Sequence, residues 1–316
     1  MTHVILLALA PVFFVMALGL VAGRTGAIDN RQVGSLNAVV MKFAVPAAMF
    51  TALGSAPRGE MLRQGSLFAI EGCVMLAVYL AWYGLQRRLT SASKAEAAVQ
   101  ALTVCFPNMA GVGLPLMSAI VGPAGAVPVA ITLAAGSILV TPVALLQLEL
   151  SVDGAPADAR SRAGRVLRSM RRALLNPIVL APALGVLLSL SGLHLGGAAS
   201  ASLDLIGKAS GGVALFLTGL VLSAQAPRLN RRIMGATVAG DVIRPLAVAA
   251  IVHLFAVPPT VGNMAILLAA VPSGFFGILL ALDHRLEATD VGSMVFASTA
   301  FSIVTLAIAI AMFHPR

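Results

Sequence analysis

Apolar residues run along this chain in blocks of about 20, enough helix to span a bilayer, and polar residues are mostly confined to the gaps. The blocks fall at 4–23, 33–54, 66–86, 97–120, 126–148, 174–191, 203–223, 233–256, 262–282 and 290–313, and each predicts one helix. Two of them are interrupted. Cys105-Phe106-Pro107-Asn108-Met109-Ala110-Gly111-Val112-Gly113-Leu114-Pro115-Leu116 lies inside the fourth block, and Ala269-Ala270-Val271-Pro272-Ser273-Gly274-Phe275-Phe276-Gly277 inside the ninth. Proline lacks the amide hydrogen and clashes with the preceding turn. In lipid the carbonyls so freed need a partner, so a break survives only against protein or a wet cavity. Broken helices whose half-helix ends face inward are the usual binding device of secondary transporters. The expected fold class is therefore an all-α membrane protein built around broken helices 4 and 9.

Composition agrees. Hydrophobic residues make up 59% of the chain and charged residues 10%, against about 25% charged in soluble domains, and mean hydropathy is +0.97. The net charge of +9 first suggests a nucleic-acid partner, but its distribution excludes one. With the amino terminus outside, the inside loops hold Arg24, Arg31, Arg87, Arg88, Lys94, Arg228, Arg231, Arg232, Arg285 and the six arginines between 160 and 172, while the outer side holds only Arg58, Arg63 and Arg316. This positive-inside asymmetry predicts both termini on the extracytoplasmic side of the cell (inner) membrane. Attraction to anionic lipid is a secondary effect. Only Met1-Thr2-His3 precedes the first block, so it is expected to be a mature helix and not a cleaved signal. Cys73 and Cys105 give no metal or disulfide spacing and are expected to be buried, inert thiols.

An Arg-rich loop at 149–173, expected to be a cytoplasmic basic linker, divides the helices into five and five, 1–148 and 174–316. Its basic part is equally readable as an amphipathic surface helix. An odd number per half makes the halves insert in opposite orientations, an inverted repeat. Near-constant offsets support this: Pro107 and Pro272 lie 165 apart, Lys42 and Lys208 166, Phe50 and Phe216 166, Glu71 and Asp241 170.

Phe106-Pro107-Asn108 followed by Gly113-Leu114-Pro115-Leu116, with Val271-Pro272-Ser273-Gly274 in the second half, resembles the auxin efflux carrier family. Leu36-Asn37 through Pro46 to Phe50 is similar as well. That family includes plant auxin carriers and bacterial carriers of malonate and related organic acids. The resemblance covers essentially the whole chain, and the short central loop places it nearer the bacterial branch. It implies ten helices with 4 and 9 crossed at the centre, a homodimer, and an elevator-type division. Helices 1, 2, 6 and 7 are then the scaffold, and helices 3–5 and 8–10 the transport part.

The resemblance places the substrate-contacting asparagine at Asn108, whose amide suits a carboxylate; the alternative is a cap for the half-helix after Pro107. The expected substrate-binding set is Asn108, Pro107, Gly111, Gly113, Pro272, Ser273 and Gly274, with a plain kink as the alternative for Ser273. Glu71 and Asp241 are expected to couple a proton or ion, since lone carboxylates in spanning helices usually face a cavity or a partner. Glu71 matches an acidic position of the family beneath the substrate site; otherwise it is a helix-end group reaching for water. Asp241 has Arg244 three residues on, and a structural ion pair is the readier account there. Lys42 and Lys208 attract anions or snorkel. In family relatives a polar residue of helix 5 lines the cavity, and Gly136 and Ser137 stand in that neighbourhood here.

No enzyme motif fits. Gly207-Lys208-Ala209-Ser210-Gly211 is one residue too long for a rhomboid-type site, and only Asp241 approaches an aspartyl one. Helix 5 lacks the paired carboxylates of a sodium/proton antiporter. No catalytic residue, metal or cofactor is expected. The expected function is secondary transport of a small organic acid such as malonate. The alternatives are a larger weak acid, such as an auxin-like indole acid, or sodium-coupled anion symport.

Overall fold

A computed structural model describes residues 2–29, 33–151, 164, 167–168, 170–171, 174–223 and 228–313. Besides a six-residue helix at Arg58–Arg63, the main described helices are α1 (Thr2–Arg24), α2 (Val33–Gly54), α3 (Gly65–Leu89), α4a (Lys94–Cys105) with α4b (Leu114–Val121), α5 (Ala126–Ser151), α6 (Pro177–Ser191), α7 (Gly197–Ser223), α8 (Arg231–Leu254), α9a (Pro259–Ala269) with α9b (Phe276–Asp283), and α10 (Thr289–Phe313). Every predicted segment is helical, and the two predicted to be broken are broken. The linker at 149–173, with its possible surface helix, lies largely outside the described residues. Among the described residues six helices, α2, α3, α5, α7, α8 and α10, are long and apolar enough to cross a membrane. Large apolar side chains such as Phe14, Leu205, Leu246 and Met312 stand on the outside. An apolar belt of that kind is stable only against lipid or protein.

Local chemistry sets the helix ends. Ser93 and Glu96 form a reciprocal capping box at the start of α4a, with amide-to-side-chain bonds of 3.1 and 2.7 Å. Asn176 and Asn230 cap α6 and α8 through the amides of Ile178 and Ile233. Four widened turns, Val40–Ala44, Met109–Gly113, Gly136–Val140 and Ala239–Ile243, share one cause. Each is followed by one residue and then proline, at Pro46, Pro115, Pro142 and Pro245. The pre-proline amides of Val45, Leu114, Thr141 and Arg244 each bond the carbonyl five residues back. A proline ring would clash with the carbonyl four back, and the extra residue in the turn moves that carbonyl aside.

Glycine sets the closest packing. A Cβ on Gly19 would lie 2.0 Å from the Phe216 carbonyl oxygen, and one on Gly219 1.9 Å from that of Met16, so α1 and α7 are in backbone contact. Gly185 does the same for α2 and α6, where its Cβ would sit 2.9 Å from the Phe50 oxygen. Small residues at a seam let backbones approach where lipid provides no hydrophobic drive. Contacts advance together along both members of each pair (Gly54 on Gly185, then Ser189 Oγ donating to the Ala56 carbonyl at 2.6 Å), so both pairs run parallel. One expectation is corrected: Cys105 is buried, but Cys73 is exposed. Glu71, Gly72, Val74 and Met75 form the inner face of α3, and Cys73 falls on the opposite face.

Candidate functional site

The two breaks meet. After Cys105 the chain becomes extended at Phe106, and Asn108 (φ −75°, ψ 72°) forms a tight turn in which the Met109 amide bonds the Pro107 carbonyl at 2.8 Å. Pro107 faces Ser273 across an antiparallel bridge. The Asn108 amide donates to the Pro272 carbonyl at 2.8 Å and the Gly274 amide to the Phe106 carbonyl at 2.7 Å. In such a pair the two facing residues exchange no hydrogen bond. Proline is therefore tolerated at 107, where the bridge requires no donor. Gly274 is needed because a Cβ there would lie 2.9 Å from the Phe106 oxygen.

Further contacts fix this junction. The Ser273 amide donates to Ser298 Oγ of α10 at 2.8 Å, and Ser298 Oγ donates to Asp241 Oδ1 of α8 at 2.6 Å. The Phe106 ring packs against Phe276 with centroids 4.6 Å apart and the planes tilted by 37°. A Cβ on Gly277 would meet Thr103 Oγ1 at 1.8 Å and the Val99 oxygen at 2.5 Å, so α9b lies directly on α4a.

The structure brings Pro107, Asn108, Gly111, Gly113, Pro272, Ser273 and Gly274 into one cluster, and Asp241 joins it through Ser298. Asn108 is 2% exposed. Its Oδ1 accepts the Gly111 amide at 3.0 Å, which is the geometry of a cap. Glu71 is buried on α3, and neither carboxylate oxygen has a hydrogen-bond partner. It is therefore not a helix-end group reaching water.

The expected Asp241–Arg244 ion pair is not formed. Arg244 is fully buried and donates from Nε to the Ala269 carbonyl at 3.0 Å, from Nη1 to the Val104 carbonyl at 2.9 Å and from Nη2 to the Val271 carbonyl. The guanidinium is instead taken up by three backbone oxygens at the two break ends. A cation inside a span was the visible signal, but its partners are 25 to 140 residues away in sequence.

A cavity of about 520 Å³ adjoins the junction. Gly111 and Leu114 line it from the first break and Phe275 and Phe276 from the second. α2 contributes Met49 and Thr51, α5 contributes Val129, Ala130 and Leu133, and α7 contributes Ser210 and Lys208. Of the expected binding residues only Gly111 lines it directly. Lys208 is its sole cationic lining residue among those described, and is exposed without an ion-pair partner. The Gly136–Ser137 neighbourhood is buried instead, with Gly136 against the Phe106 ring and Ser137 Oγ 3.8 Å from Met49 Sδ.

The family described as membrane transport protein matches residues 4–310. An Escherichia coli K12 protein named "Uncharacterized transporter YfdV" is 29% identical over 279 residues, 86% of each chain. An "Uncharacterized transporter" of Methanothermobacter thermautotrophicus is 26% identical over 303 residues, 93% of this chain and 94% of its own.

Proposed function

This chain belongs to the membrane transport protein family, the family of the auxin efflux carriers, and is a multi-pass membrane transporter and not an enzyme; from that premise we propose that it carries a small organic acid anion, malonate or a similar carboxylate, by alternating access. The observation that carries this reading is the cavity beside the two bridged breaks. Its volume falls within the ~300–1,000 Å³ of ordinary ligand sites. The amino-terminal ends of α4b and α9b open toward it with their positive partial charge. Arg244 meanwhile neutralises the carboxyl-terminal ends of α4a and α9a. The half-helix ends thus favour an anion, and Lys208 adds a positive charge at the rim, where Asp204, one turn before it, lines the same cavity. Asn108 and the surrounding Pro107, Gly111, Gly113, Pro272, Ser273 and Gly274 contact the substrate carboxylate as the site adjusts around it. Glu71 and Asp241 couple a proton.

The architecture that goes with this reading has ten spans in two inverted repeats in the cytoplasmic membrane, with both termini outside. The parallel pairs support it: exchanging α1 with α6 and α2 with α7, as an inverted repeat does, turns the α1/α7 seam into the α6/α2 seam. These four helices form the scaffold of a homodimer, and the junction belongs to the part that slides against it.

Purified protein screened by thermal shift against mono- and dicarboxylates, followed by saturable uptake into proteoliposomes, tests the assignment. A ligand that prefers the folded state raises apparent stability by mass action. Absence of any carboxylate response in both assays overturns it. The mainly apolar wall built by Met49, Val129, Leu133, Phe275 and Phe276 favours one second reading, a larger weak acid such as an indole acid, and the same screen separates the two.

A further inference from the structure

We infer that Arg244 is a resident cation at the junction, its guanidinium standing where a coupling metal ion would bind, so that transport proceeds without sodium. The inference rests on the carrier reading above and names its coupling.

A helix that stops inside a membrane leaves carbonyls with partial negative charge and no intrahelical donor. In carriers with broken helices, half-helix carboxyl-terminal ends and unwound carbonyls are the groups that coordinate Na⁺. Here both such ends lie together, and one side chain claims a carbonyl from each: Val104 on α4a, Ala269 on α9a, and Val271 in the second break. A guanidinium is always charged and presents five donors in a fixed planar fork. Because it is tethered, it cannot exchange with bulk solvent, and so brings no ion gradient into the transport cycle.

α8 is shaped to deliver this group. Arg244 directly follows the widened turn Ala239–Ile243 and precedes Pro245. Gly240 allows the backbone to close in, since a Cβ there would sit 2.9 Å from Ser273 Oγ and 3.3 Å from the Val104 oxygen. The countercharge is also built in. Glu71 and Asp241 are buried, both are within electrostatic reach of Arg244, and neither is paired to it directly. Both Glu71 oxygens and Asp241 Oδ2 lack a hydrogen-bond partner. Carbonyls from two helix ends, with two carboxylates behind them, are the donor set of a cation site that the arginine already fills. Deleting its side chain leaves that site vacant, and small cations then become ligands of the protein.

The test uses purified full-length protein. Wild-type thermal stability and carboxylate uptake are expected to be the same in sodium, potassium and choline chloride at equal ionic strength. Arg244→Ala loses stability and about tenfold or more of its uptake, because buried groups lose their partner. Millimolar guanidinium chloride raises the melting temperature of the variant saturably, sodium does so more weakly, and neither affects wild type. Saturable stabilisation or activation of the wild-type protein by sodium overturns the inference, as does a variant that gains nothing from guanidinium. If Arg244→Ala does not fold, Arg244→Lys and the wild-type sodium titration decide the matter. The thermal readout needs no transported substrate, so failure to find a cargo sinks the carrier reading alone.

Discussion

Asn108 distinguishes a structural break from a binding site, and two substitutions separate its roles. Its Oδ1 caps the Gly111 amide at 3.0 Å inside a site that is 2% exposed. Asn108→Ala deletes that acceptor, a loss of about 1 kcal/mol, or roughly 2–4 °C in melting temperature for a chain of this order of size. Asn108→Asp keeps an acceptor in the same place. A carboxylate near a helix amino terminus gains about 0.3–1 kcal/mol from the dipole, which offsets part of the desolvation of the new charge. Capping alone therefore predicts that Ala is the more harmful change in every assay. Anion binding predicts the reverse for transport, because two like charges roughly 6 Å apart at an effective dielectric of about 20 repel by about 3 kcal/mol, about a hundredfold in affinity. The assays are thermal unfolding in detergent and concentration-dependent uptake of the carboxylate found by screening. An Asn108→Asp protein that transports as wild type does would refute substrate contact at this position.

Other contacts give sharp expectations. Gly277→Ala places a methyl 1.8 Å from Thr103 Oγ1 and is expected to lose about 1–3 kcal/mol of stability; adding Thr103→Ala recovers part of this but not all, since the Val99 oxygen remains 2.5 Å away, and a double-mutant cycle of melting temperatures measures the coupling. Ser298→Ala strands the buried Ser273 amide and Asp241 Oδ1 at about 1–3 kcal/mol each, and Ser298→Thr restores stability if the hydroxyl is what matters. Lys208→Gln leaves the melting temperature unchanged and raises the half-saturating carboxylate concentration about three- to tenfold. Glu71→Gln flattens the pH profile of uptake, and an unaltered profile returns Glu71 to a packing role.

The helices were legible because lipid demands long apolar blocks, and the second block, 33–54, coincides with Val33–Gly54. The breaks were legible because proline at 107 and 272 cannot continue a ladder. Nothing local states that the two breaks pair with each other, for that contact spans 166 residues of chain. Arg244 shows the limit most clearly. Helical spacing offered Asp241 as its partner, and tertiary structure gave it three carbonyls instead. The widened turns were likewise hidden, although the prolines that cause them stand in plain view. Ser298 was visible only as one of several hydroxyls on α10 until the junction placed it between Ser273 and Asp241.

The bridge at Pro107 and Ser273 also governs what kind of motion is open to this protein. Prising the half-helices apart would leave the Asn108 amide, the Gly274 amide and their carbonyls bare in a dry interior. In the transport cycle proposed above, the knot of chain at the centre is therefore expected to stay tied, and hinges are to be sought at its edges.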